Sequence, residues 1–221
     1  MTIKVCIFDM DGTLVRTQES IARPVNLTLA YFGLPAQPVE AFNRFAGDGL
    51  KNSLKRALTA AGDTDVAKHV EEGFPMCRDW MNEDPLYRVE PYPYIPEVLR
   101  QLKDHGIRVA VLSNKLQESA TQVTAKLFEE GLFDYVQGQT DAVPLKPDPS
   151  GVYEILRILG VSKEECLYFG DTDTDMMTGR NAGVYTIGVT WGFRPEEELA
   201  AYKPYRIIHS AREIPALAGI L

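Results

Sequence analysis

Cysteine is scarce in this chain: Cys6, Cys77 and Cys166 are the only three in 221 residues, far apart and in no CxxC spacing. That excludes a disulfide framework and a thiolate zinc site. Two of the three fall in apolar strand-like runs, as expected of reduced core residues in a cytoplasmic protein. Positive charge is short as well, with 23 Lys and Arg against 31 Asp and Glu and a net charge of −8. Such a surface repels a phosphate backbone, so nucleic acid and anionic membrane are excluded as partners. No apolar run reaches the roughly 20 residues of a transmembrane helix. The opening MTIKVCIFDMDG also lacks the basic segment, apolar stretch and cleavage site of a secretory signal, so none is expected. Histidine is rare, and His69, His105 and His209 stand outside every motif described below. There is no G-x-S-x-G and no Cys/His cluster with zinc spacing.

What is present is 45% hydrophobic residues, enough for a sizeable core with a smaller inserted unit. Ile3 to Phe8 is continuously apolar apart from Lys4, then stops at Asp9; it reads as a buried parallel strand feeding a functional loop. Runs of the same kind are Ile107 to Leu112, Tyr135 to Val136, Cys166 to Phe169, Tyr185 to Val189 and Tyr205 to Ile208. Helical spacing lies between them: Val98, Leu99 and Leu102 before Gly106, and Val152, Ile155, Leu156 and Leu159 before Gly160. Alternating strands and helices predict an α/β fold, a parallel sheet with helices on both faces. From Arg16 to Arg88 only helical patterns occur, including Leu50, Leu54, Ala57, Leu58 and Val66, Val70, Phe74. This predicts an all-helical insertion over 16–88 and a catalytic core over 1–15 and 89–221, with proline-rich PYPYIPE marking the return.

Chemistry-bearing residues gather at predicted strand ends. Asp9 and Asp11 follow the first strand, with Gly12 permitting a tight turn; the plainer reading is a loop capped by Asp9. Ser113 and Asn114 close IRVAVLSN, where a hydroxyl and backbone N–H groups can hold phosphoryl oxygens or simply start a helix. Lys146 sits in LKPDP, stiffened by two prolines. Asp171, Asp173 and Asp175 crowd the turn of YFGDTDTDMM, a costly cluster unless a cation or water offsets the repulsion. An EF-hand is excluded, because Met176 and Ala182 occupy the positions that need Gly and Glu. An open α/β sheet binds ligands at the carboxyl ends of its strands, so Asp9, Ser113, Lys146 and Asp171 are expected to converge.

The ordered set DMDGTL, LSNK, KPDP and GDTDTD resembles the four signature motifs of the haloacid dehalogenase superfamily. The helical insertion resembles the cap of the phosphoglycolate phosphatase and β-phosphoglucomutase group, and VTWGFRPEEEL resembles phosphoglycolate phosphatases; Arg16-Thr17 departs from the Asp-Ser frequent there. The resemblance implies a doubly wound parallel sheet, Mg²⁺ as cofactor and a small phosphorylated metabolite as partner, in a monomer or homodimer. It implies Asp9 as nucleophile, Asp11 as acid and base, and Ser113, Asn114 and Lys146 on the phosphoryl group. Metal ligands would be Asp9, the Asp11 carbonyl and Asp171, with Asp175 supporting them. Arg44, Gly47, Gly49 and Lys51 of FAGDGLKNSL are the cap residues expected to meet substrate. Asp11 argues against a dehalogenase or phosphonatase. The alternatives that remain are a phosphomutase and, in another class, a catalytically silent phospho-ligand-binding module.

Overall fold

A computed structural model describes residues 2–220. In chain order, β1 (Val5–Phe8) leads through β2 (Val15–Arg16) into four helices, α1 (Gln18–Tyr31), α2 (Phe42–Phe45), α3 (Leu50–Ala60) and α4 (Val66–Glu83). Then follow β3 (Glu90–Pro91), α5 (Ile95–Asp104), β4 (Arg108–Leu116), α6 (Gln117–Leu127), β5 (Tyr135–Gln139) and α7 (Ser150–Leu159). The chain closes with β6 (Cys166–Gly170), α8 (Asp173–Ala182), β7 (Tyr185–Val189), α9 (Glu196–Ala200), β8 (Arg206–Ile208) and α10 (Ile214–Leu217).

The main sheet has the order β5-β4-β1-β6-β7-β8, and every pairing in it is parallel. All four residues of β1 are buried, as suits a central strand covered on both faces. One face packs Val5, Ile7, Ala110, Leu112, Cys166 and Tyr168 against Val152, Ile155, Leu156 and Leu159 of α7. That helix ends where Gly160 takes φ +62°, closing the last turn with left-handed backbone. Pro96 near the start of α5 has no N–H to waste, and Ile95, Val98, Leu99 and Leu102 form its buried face. Strand order reverses at β1, since β4 lies on one side of it and β6 on the other. The crevice at the carboxyl ends of these three strands is therefore the switch point of the sheet.

The chain divides into two compact units, Met1–Arg16 with Glu90–Leu221, and Thr17–Val89. The regular elements of the second are all helical, and the helical pattern of the sequence suggests an insertion over 16–88. Pro24 and Pro75 lie inside α1 and α4, each removing one i→i−4 bond. A short antiparallel ribbon, which the apolar pattern does not reveal, pairs Val15 with Pro91 and Arg16 with Glu90. It brings together the residues where the chain leaves the first unit and re-enters it. The three cysteines are buried and unpaired. No described helix is long and apolar enough to cross a membrane.

Candidate active site

Asp9 is the first residue past β1, and its N–H donates to the Phe169 carbonyl at 2.8 Å, pinning it beside the end of β6. Lys146 reaches the same place from the loop after β5. Its Nζ donates to Asp9 Oδ1 at 2.6 Å and to Asp175 Oδ1 at 2.7 Å. The backbone of Lys146 is clamped by Asn114, whose side-chain oxygen accepts from Lys146 N at 2.8 Å and whose amide donates to Lys146 O at 3.1 Å. The Asn114 side chain thus ties the end of β4 to the lysine loop, a job the strand-end reading did not assign to it. Ser113 is buried beside it, and its Oγ accepts the Lys115 N–H at 3.2 Å.

Asp175 has both oxygens engaged. Oδ1 accepts from Lys146 and from the Tyr168 hydroxyl at 2.9 Å, while Oδ2 accepts from Thr172 N and Oγ1 at 3.1 and 2.7 Å. The Thr172 contacts form a capping box on α8, so helix-start chemistry fixes this carboxylate. Asp171 is held from two sides: Thr13 Oγ1 donates to Oδ1 at 2.8 Å and the Phe193 N–H to Oδ2 at 2.7 Å. Trp191 Nε1 donates to the Thr13 carbonyl at 3.0 Å, which ties the loop after β7 to the loop after β1. Glycine is required where these segments touch. A Cβ on Gly12, itself at φ +93°, or on Gly192 would collide with the Asp171 carboxylate.

Oxygens of Asp9, Asp171 and Asp175 come within 4.8 Å of one another, all three residues buried. Lys146 supplies one positive charge against them. Burial works against that charge, but Asp175 and Asp9 outweigh it and hold the ammonium well above its usual pKa. Burial also pushes Asp9 well up, with Lys146 opposing and the neighbouring carboxylates adding to the rise. Burial, then Asp175, push Asp171 up to about 7 against the bonds from Phe193 and Thr13. Excess negative charge remains, to be relieved by protons or by a cation. An all-oxygen donor set around that excess fits a hard divalent metal. Asp175, with both oxygens committed to protein donors, suits a supporting place more than a ligating one.

Asp11 stands apart from this cluster. Its carboxylate is 17% exposed and meets the buried Lys115 Nζ at 3.3 Å. The four residues expected to meet substrate all lie in the helical unit. Arg44 belongs to α2, Gly47 and Gly49 take φ of +124° and +97°, and Lys51 in the first turn of α3 pairs with Glu71 at 2.7 Å. Lys115, Tyr168, Thr13 and the Gly192–Phe193 amide were missed from sequence. All of them lie within quoted motifs, Gly192 and Phe193 in VTWGFRPEEEL, but nothing local shows that this backbone approaches a distant carboxylate.

The fold and this carboxylate–lysine crevice define a hydrolase of the haloacid dehalogenase type. The chain belongs to the haloacid dehalogenase-like hydrolase family, whose model matches residues 6–189. Its curated relatives include the phosphoglycolate phosphatase of Aquifex aeolicus, 34% identical over 191 residues and 86% of each chain. Pyrophosphatase PpaX of Bacillus mycoides is 29% identical over 222 residues, covering 100% of this chain and 99% of that one. A solved structure from Lactobacillus delbrueckii subsp. bulgaricus, provisionally assigned as a phosphoglycolate phosphatase, superposes with a TM-score of 0.91. It is 26% identical, with 99% of each chain covered. The chain is thus a hydrolase of this family, similar over most of its length to proteins named phosphoglycolate phosphatase.

Proposed function

We propose that the protein is a magnesium-dependent phosphatase that hydrolyses a small phosphorylated metabolite of the phosphoglycolate kind through an aspartyl-phosphate on Asp9. The observation that carries this reading is Lys146 bridging Asp9 and Asp175 in a buried cluster with Asp171. Asp9 Oδ1 is engaged by Lys146, while Oδ2 has no hydrogen-bond donor among the described residues and is left to attack. In the first step an Asp9 oxygen bonds to phosphorus as the ester P–O bond breaks, and the Asp11 carboxyl gives its proton to the departing oxygen. In the second, Asp11 takes a proton from water as the water oxygen bonds to phosphorus, releasing phosphate and restoring the Asp9 carboxylate. Lys146, the Ser113 hydroxyl and the Asn114 backbone N–H hold phosphoryl oxygens as charge shifts among them.

Asp9, the Asp11 carbonyl and Asp171 would hold Mg²⁺, which supplies Lewis-acid neutralisation of the phosphoryl charge. The helical unit over 17–89 acts as a cap that selects substrate, with Arg44, Gly47, Gly49 and Lys51 its recognition residues. The test is phosphate release from 2-phosphoglycolate, pyrophosphate, β-glucose 1-phosphate and an aryl phosphate, each with Mg²⁺ and with chelator. Release that requires Mg²⁺ and favours one small metabolite is expected; release unaffected by excess chelator would refute the metal assignment.

A further inference from the structure

Two lysines are buried beside the carboxylates of this crevice, and they differ in how fully they are used. Lys146 has short bonds to two carboxylates. Lys115, with a side chain 3% exposed, has one contact at 3.3 Å, to Asp11 Oδ1, and no other side-chain partner among the described residues. An ammonium has three donors, and burying it with one long contact leaves most of its lost hydration unreplaced. Such a group is poised to take an anion. Its placement says which part of a substrate that anion belongs to. Lys115 makes no contact with Asp9; it sits on Asp11, the residue that must reach the departing oxygen. Its backbone N–H meanwhile rests on Ser113 Oγ at 3.2 Å, so the lysine is fixed to the strand end that receives the phosphoryl group.

We propose that Lys115 is the specificity residue for the leaving group, binding a second oxyanion, a carboxylate or a phosphate, carried a few bonds from the ester oxygen. This rests on the phosphatase reading above and deepens it, because it places recognition of that charge in the strand-end crevice. Lys51 already spends its charge on Glu71.

The experiment compares kcat/KM for 2-phosphoglycolate and pyrophosphate with that for 2-hydroxyethyl phosphate, which presents a neutral hydroxyl in the corresponding place. Lys115→Met keeps most of the side chain's length and removes the charge; Lys115→Arg keeps the charge. A charge-assisted bond of this kind predicts that Lys115→Met lowers the ratio of the preferred anionic substrate to the neutral one by about 10- to 100-fold. Lys115→Arg should recover much of that ratio. The two anionic substrates show whether the group read is a carboxylate or a phosphate. A ratio unchanged in Lys115→Met, whether or not absolute rates fall, would overturn the assignment and leave the lysine as a support for Asp11. Absence of phosphate release from all three substrates by the unaltered enzyme would overturn the phosphatase reading itself, and this inference with it.

Discussion

Gly192→Ala isolates the packing that holds Asp171. Gly192 is not at positive φ, so alanine brings no backbone strain and the effect is steric. Its Cβ would land on the Asp171 carboxylate, against Oδ2, Cγ and Cβ together, and these are not the far end of a flexible chain. Either the loop withdraws or the carboxylate turns, and both break the 2.7 Å bond from the Phe193 N–H to Oδ2. A hydrogen bond to a charged group contributes about 1.5–3 kcal/mol. If that energy holds Asp171 in its ligating pose, its loss weakens Mg²⁺ binding by about 10- to 150-fold. Trp191, bonded to the Thr13 carbonyl beside the site, is a built-in reporter. Its fluorescence can be titrated with Mg²⁺ without substrate, and the Mg²⁺ dependence of phosphate release measured in parallel. Saturating Mg²⁺ should restore much of the rate. A variant with unaltered Mg²⁺ affinity and unaltered thermal stability would refute the view that this glycine exists to let the loop approach Asp171.

Lys146→Met leaves Asp9 and Asp175 buried without their shared cation, so turnover should be abolished and the fold destabilised by about 3–5 kcal/mol, read by urea denaturation. A variant as stable as the parent would contradict the strong pairing. The raised pKa of Asp171, about 7 when folded, has a consequence for the chelated protein. Between about pH 4 and 7 the folded state holds the extra proton, since an unfolded aspartate titrates near 3.9. The chelated protein should therefore lose stability as pH rises through that window. Mg²⁺ should raise the melting temperature more at pH 8 than at pH 5; equal stabilisation at both would count against the crowded carboxylates.

Much of this was legible in the chain because buried parallel strands read as unbroken apolar runs. Cys166 to Phe169 and Tyr185 to Val189 correspond to β6 and β7 almost residue for residue. The helices before Gly106 and Gly160 were visible from apolar spacing and a glycine stop. The ribbon of β2 and β3 was not, because two-residue strands carry no period and their partners are 74 or more residues apart. Asp9 and Asp171 stood out because each comes just past an apolar strand run, whereas Lys146, late in the loop after β5, and Asp175, in the first turn of α8, stood out through the motifs KPDP and GDTDTD. Gly192 and Phe193 were singled out only as part of VTWGFRPEEEL; their role was not legible, since what matters there is a backbone close to a distant carboxylate. The Asn114 side chain had no role in the sequence reading, which used its backbone N–H; its bonds to the Lys146 backbone depend on two distant segments meeting.

As the proposed nucleophile, Asp9 would carry the phosphoryl group during turnover. Rapid quenching of the enzyme with Mg²⁺ and its preferred substrate, followed by borohydride reduction, converts an aspartyl-phosphate to homoserine that peptide mass spectrometry can locate. Homoserine is expected at position 9, dependent on substrate and absent in Asp9→Asn, which should also lose essentially all phosphate release. Reduction at another residue, or an Asp9→Asn enzyme that keeps more than a few per cent of the parent's activity, would contradict it.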